Sequence, residues 1–237
     1  MSTIHSCLDL IRSQIQQSAN GRNVLLVAVS KFHPVETLME AYNAGQRHFG
    51  ENYMQEFLKK VELMPDDVQW HFIGSLQSSK CKKIASVKNL YSIETIDTEK
   101  KARLVNSARE ALQLPLNVYI QVNTSGEENK GGVTPSKVLE LCKQVQDMKY
   151  LRLKGLMTIG SISNSQLSDH NPDFQVLSDL RESLQNELGI PLQLSMGMSS
   201  DYLLAIKYGS DSVRVGSSIF GSRPTEKPSD VHISASK

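Results

Sequence analysis

The sequence predicts a single (β/α)8 barrel preceded by one extra N-terminal helix, and three observations lead there. Short apolar runs alternate with segments of helical periodicity, the pattern of a parallel sheet with helical crossovers. The first run, 24–30 (VLLVAVS), is continuously apolar, as in a strand buried on both faces. Eight strand–helix units follow one another, which favours closure over an open sheet.

Ile4, Leu8, Ile11 and Ile15 recur at helical spacing and define the leading helix, which ends near Asn20-Gly21. After strand 24–30, Pro34 opens a helix over VETLMEAYNAG that Gly45 closes as a C-cap. A short strand at His48-Phe49 precedes a helix over 53–63. Residues 68–74 (VQWHFIG) form the third strand, with a helix over 79–87. Strand 90–93 leads into a helix over 99–112 that Asp97 and Thr98 cap. Residues 116–123 (LNVYIQVN) are the fifth strand, and their helix covers 135–148. The sixth strand is 153–157, followed by a polar loop over 161–171 and a helix ending at Leu188. Strand 192–195 with a helix over 200–208, then strand 212–216 with a short helix near Ser218, complete the set. There is no internal repeat and no linker. Residues 1–224 therefore read as one barrel domain, and 225–237, rich in Ser, Lys and Asp, as a disordered tail.

Composition excludes several classes of function. A chain of 237 residues with 39% hydrophobic residues can bury a large core, and its net charge of +1 gives no electrostatic case for nucleic acid or a membrane surface. Cys7, Cys81 and Cys142 are far apart, odd in number and without metal spacing, so they read as reduced thiols of a cytoplasmic protein. The opening residues lack a secretory pattern, and no apolar stretch is long enough to span a bilayer. A monomer is the default expectation.

In such a barrel, chemistry belongs at the C-terminal ends of the strands. Lys31, Asn52, Gly74, Glu94, Asn123 and Met157 fall there, together with the loops 195–201 and 214–217. Lys31 is the sharpest member. It ends an apolar strand, where desolvation lowers the pKa of an amine and makes it a nucleophile suited to Schiff-base chemistry. The alternative is a lysine whose stem lies along the barrel mouth with its ammonium in water. In SMGMSSD, Gly197 permits close backbone approach, and Ser199 or Ser200 can cap the next helix. In VRVGSSIFG, Gly216 and Ser217 offer N–H groups and a hydroxyl at the start of a short helix. Loops after the seventh and eighth strands commonly hold phosphate in this fold, although ordinary capping needs the same residues. Closure sets both loops beside Lys31, and a Schiff-base lysine next to a phosphate cradle points to a phosphorylated aldehyde. Arg214 narrows the choice to pyridoxal 5′-phosphate, whose pyridine nitrogen takes an Asp or an Arg partner. An arginine paired with an internal carboxylate is the other reading of that residue.

The segments VAVSKFHP, HFGENYMQE, WHFIGSLQSSK, GLMTIGS, SMGMSSD and VRVGSSIFG resemble, in order and spacing, the motifs of the YggS/PROSC family of pyridoxal phosphate homeostasis proteins, over residues 22–224. That family is similar to the N-terminal barrel domain of alanine racemase. The resemblance implies that Lys31 carries the Schiff base and Arg214 contacts the pyridine nitrogen. It implies further that Ser199, Gly216 and Ser217 hold the phosphate, that Asn52 and Met157 line the pocket, and that Ser195 and His71 stand behind it. Two departures are visible: Leu76-Gln77-Ser78-Ser79-Lys80 has a serine for the usual asparagine, and Ser217 replaces threonine. The implied function is to hold the cofactor in intracellular vitamin B6 homeostasis, by buffering or by delivery to apo-enzymes, without robust catalysis. Racemases of this type add a β-rich domain and a tyrosine acid/base, for which the residues after the barrel are too few, and an arginine partner leaves the ring a weak electron sink. A weakly active amino-acid racemase is the alternative, and a Schiff-base aldolase acting on a phosphosugar is a third reading. Lys130, in the glycine-rich GEENKGG, is either a second landing point for the aldehyde or a solvated loop lysine.

Overall fold

The computed structural model describes residues 3–128, 130–167 and 169–222; the tail expected at 225–237 lies outside the described residues. Eight strands form a closed parallel barrel in sequence order: β1 (Leu25–Val29), β2 (His48–Glu51), β3 (Gln69–Phe72), β4 (Leu90–Ile96), β5 (Leu116–Gln121), β6 (Leu151–Met157), β7 (Gln193–Ser195) and β8 (Ser212–Val215). Closure is made by β8 on β1, where Val27 stands opposite Arg214 and Ala28 opposite Val215. The predicted (β/α)8 fold, with its extra leading helix, is the fold observed.

The helices are α1 (Thr3–Ala19), α2 (Val35–Asn43), α3 (Met54–Leu63), α4 (Ser78–Ala85), α5 (Glu99–Leu112), α6 (Val138–Gln146), α7 (Pro172–Leu188), α8 (Tyr202–Lys207) and α9 (Ser217–Phe220). Helix α1 buries Leu8, Ile11, Ile15 and Ala19, the stripe its periodicity predicts, and packs against α8 and α2. Thr98 caps α5 by accepting from the Lys101 N–H at 3.3 Å.

Alternation along the strands separates two faces. Leu26, Ala28, Phe49, Trp70, Phe72, Ile93, Val118, Leu156, Leu194, Val213 and Val215 share one apolar cluster with the helices. Trp70, the largest fully buried side chain among the described residues, meets Phe49 and Phe57 at 5.9 and 5.8 Å between ring centroids. The residues between them on the same strands include His48, His71, Ser92, Glu94, Ser195 and Arg214. Ser195 on β7 donates to Glu94 on β4 at 2.6 Å. These strands are not neighbours in the barrel, so that bond crosses the lumen.

Several boundaries differ from the sequence reading. Strand β4 runs on to Ile96 because Glu94 and Thr95, although polar, are buried there, and the Thr95 hydroxyl donates to the Gly74 carbonyl at 2.7 Å. The helix expected over 135–148 divides into a 3₁₀ turn, Pro135–Lys137, and α6. Helix α8 begins at Tyr202 and not at Ser200. Among the described residues, no helix is long and apolar enough to cross a membrane.

Candidate functional site

A cavity of about 550 Å³ opens at the C-terminal end of the barrel. Lys31 and Asn52 line it from just beyond β1 and β2, Met157 and Arg214 from β6 and β8, and Ser199, Gly216 and Ser217 from the loop after β7 and the junction of β8 with α9. All seven residues singled out as cofactor-binding in the sequence thus face one space, of a size suited to a small organic ligand. Ser195 and His71 lie beneath it within the barrel.

The turn that carries Lys31 is anchored at several points. Strand β1 ends at Val29, and the N–H of Ser30 donates to the Gly50 carbonyl at 3.0 Å. Lys60, from α3 and almost fully buried, donates to the Ser30 carbonyl at 2.7 Å and to Glu51 and Glu56 at 2.6 Å each. Glu56 also accepts from the N–H of Phe32 at 2.6 Å. Phe32 has φ +69°, a left-handed conformation that costs a non-glycine residue about 1 kcal/mol or more. The ion cluster offsets that cost and keeps the turn in one shape. Burial is the largest influence on Glu51 and, against the pull of Lys60, pushes its pKa up to about 7. One of its oxygens, Oε2, is buried with no hydrogen-bond partner.

The two terminal loops are tied together. The N–H of Gly216 donates to the Ser199 hydroxyl at 3.1 Å. The expected capping of α8 by Ser199 or Ser200 does not occur: Asp201 occupies the cap position, and its carboxylate accepts from the N–H of Met198 at 2.7 Å. Gly197 has φ +98°, and a Cβ there would lie 2.6 Å from the Cβ of Ala205, so only glycine lets this loop turn over α8. Helix α9 is one turn long, and the N–H groups of its first residues have no partner within it. With the Ser199, Ser200, Ser217 and Ser218 side chains they make a wall of small donors.

Arg214 is buried, and two of its donors are engaged: Nη1 on the Ser195 hydroxyl at 2.7 Å and Nη2 on the Thr158 carbonyl at 2.8 Å. A guanidinium has five donors, so others remain for a ligand. Asn52 Oδ1 is buried on the cavity wall with no hydrogen-bond partner, an acceptor awaiting one. Its place depends on Gly74, where a Cβ would collide with the Asn52 carbonyl at 1.8 Å.

His33 escaped the sequence reading. It lines the cavity and meets the Phe220 ring, tilted, at 5.1 Å between centroids; burial first, then the charge of Lys60, lowers its pKa. Its position two residues after Lys31 was the available signal. Lys60 gave none, since a lysine on an amphipathic helix reads as exposed. Lys130 is not on the cavity wall; its ammonium is tethered to the Gly160 carbonyl at 2.7 Å and to Glu127 at 3.0 Å. Among the described residues, no group of three or more His, Cys, Asp or Glu could hold a metal.

Comparison with known proteins identifies the family. Residues 9–224 match the family described as alanine racemase, N-terminal domain. A pyridoxal phosphate homeostasis protein of Homo sapiens is 45% identical over 85% of this chain and 78% of its own length. One from Caenorhabditis elegans is 40% identical over 93% of this chain and 95% of its own. The solved structure of PipY from Synechococcus elongatus PCC7942 with PLP bound is 32% identical, with a TM-score of 0.78 over 92% of this chain and 100% of that one. By residues matched, identity and coverage, the chain belongs to the pyridoxal phosphate homeostasis proteins, the branch of the alanine racemase N-terminal domain family that the sequence motifs resemble.

Proposed function

We propose that the protein binds pyridoxal 5′-phosphate covalently through Lys31 and holds it for intracellular vitamin B6 homeostasis, without robust catalysis. The observation that carries this reading is one cavity in which an anchored lysine, a buried arginine and two tied serine- and glycine-rich loops converge. The names of the relatives and the PLP-bound PipY structure support it. The residues fit the cofactor: an amine for its aldehyde, a wall of small donors for its phosphate, and a guanidinium for its ring nitrogen. When bound, the cofactor supplies a reactive aldehyde on a conjugated ring.

In this reading the Lys31 amine adds to the aldehyde carbon and water leaves, so that the aldehyde is masked until the bond is reversed. Ser199 and Ser217 would donate to the phosphate from backbone and hydroxyl groups, and Gly216 would hold it by orienting the Ser199 hydroxyl through its own N–H. Arg214 donates to the ring nitrogen and, being a permanent cation, disfavours its protonation. The ring is then a poor acceptor of electrons, which suits storage better than turnover. Asn52 and Met157 would line the pocket around the ring. Recipients are apo-enzymes that use the same cofactor, and the protein acts as a cytoplasmic monomer.

Borohydride treatment of protein incubated with pyridoxal phosphate tests this directly. The expected result is one phosphopyridoxyl group, on the peptide that contains Lys31, and its loss in Lys31→Ala. Absence of any adduct would refute the reading. Exchange of the α-proton of L-alanine in deuterated water, measured on the loaded protein, should stay at background; appreciable exchange would overturn the non-catalytic part.

A further inference from the structure

The lumen holds titratable groups that the proposed function leaves unused. They form one hydrogen-bonded chain from the cavity floor to the opposite end of the barrel. Arg214 Nη1 donates to the Ser195 hydroxyl at 2.7 Å, and Ser195 donates to Glu94 Oε2 at 2.6 Å. Glu94 Oε1 lies 2.8 Å from His71 Nδ1 and also accepts from Ser92 at 3.2 Å. His71 Nε2 lies 2.9 Å from His48 Nδ1. His48 opens β2 and meets the Tyr91 ring edge-on at 5.0 Å between centroids.

We propose that Glu94 is the buried counter-charge that, through the Ser195 hydroxyl, fixes the position of Arg214 in the cavity. This rests on the reading of Arg214 as a ligand of the cofactor ring. Both charges are almost fully removed from water, Arg214 at 4% exposure and Glu94 at 1%, and a buried charge persists only where it is paired and hydrogen-bonded. The serine accepts from one and donates to the other, so its single proton sets the direction of both bonds. Burial alone would raise the Glu94 pKa, but His71, Arg214 and Ser195 together hold it below the ordinary carboxylate value. Glu94 is therefore ionised at neutral pH. Asp201 is the other acid that acts electrostatically on Arg214, but its carboxylate is engaged by the Met198 N–H. His71 and Ser92 aim the carboxylate from behind. Glu94 is a positioning residue, acting on the cofactor only through Arg214.

Action through Arg214 has a signature that a structural role lacks. Glu94→Gln should lower the affinity for pyridoxal phosphate about tenfold or more, the loss expected when a hydrogen bond to a charged group is disturbed. It should also shift the visible absorption of the loaded protein. In an Arg214→Ala background the same substitution should change neither, giving a strongly non-additive double-mutant cycle. Ser195→Ala supplies a second cycle should Glu94→Gln fail to fold, with the same non-additivity expected. Additive losses, or unchanged affinity and spectrum in the single variants, would overturn the proposal while leaving the Lys31 adduct intact. A wild-type protein that forms no adduct on Lys31 removes both readings at once.

Discussion

The two faces of the same eight strands are built to opposite rules. Toward the helices, Phe49, Trp70, Phe72, Ile93 and Val213 are buried among apolar neighbours and make no polar commitment. Toward the lumen, alternate residues of those strands place His71, Ser92, Glu94, Ser195 and Arg214 in a continuous hydrogen-bonded chain. Barrels of this class usually fill the lumen with bulky aliphatic side chains. Here one face supplies the stability and the other spends part of it on fixing a charge at the cavity floor. A parallel barrel permits this because its strands project alternate side chains into two separate spaces.

That division can be broken deliberately. The largest effect is expected for Trp70→Ala, which removes the largest fully buried side chain from the outer cluster; such truncations cost about 3–5 kcal/mol. Denaturant unfolding should record that loss, while the folded fraction keeps its cofactor absorption. A changed spectrum would mean that the faces are coupled. Glu51 comes next, as a charged residue among the apolar ones on the outer side. Its pKa, pushed up to about 7 from an ordinary 4.5, makes the folded state bind the proton more tightly than the unfolded one. Its contribution to stability is therefore full below about pH 4.5 and is lost as pH rises through about 7. Measured from pH 4 to 8, stability should fall more in the wild type than in Glu51→Gln, and parallel curves would contradict this. Arg214→Ala, on the lumen side, should leave Lys31 able to attach the cofactor. It should weaken binding by about 1.5–3 kcal/mol, the range for hydrogen bonds to charged groups. Equilibrium dialysis reads that value, and unchanged affinity would remove Arg214 from the site.

Much of this protein was legible in its sequence. The order of strands and helices, the extra leading helix and part of the rim follow from short-range patterns: apolar runs, helical periodicity, and small or polar residues at strand ends. Gly74, Glu94 and Asn123, expected at the same rim, do not line the cavity, and Glu94 lies within β4 and turns into the lumen. Lys31, Asn52, Met157 and Arg214 could be assigned to one rim because each falls at or near the C-terminal end of a strand, and closure of the barrel then brings those ends together. What the sequence could not settle was pairing between distant residues. Glu94 and Ser195 are 101 positions apart and meet only because β4 and β7 face each other across a closed lumen. Lys60 reads as an exposed helix lysine, yet α3 carries it inward to Ser30, Glu51 and Glu56. Local periodicity fixes which way a side chain points, whereas the partner it finds there depends on how the ring of strands closes, and only the tertiary structure decided that.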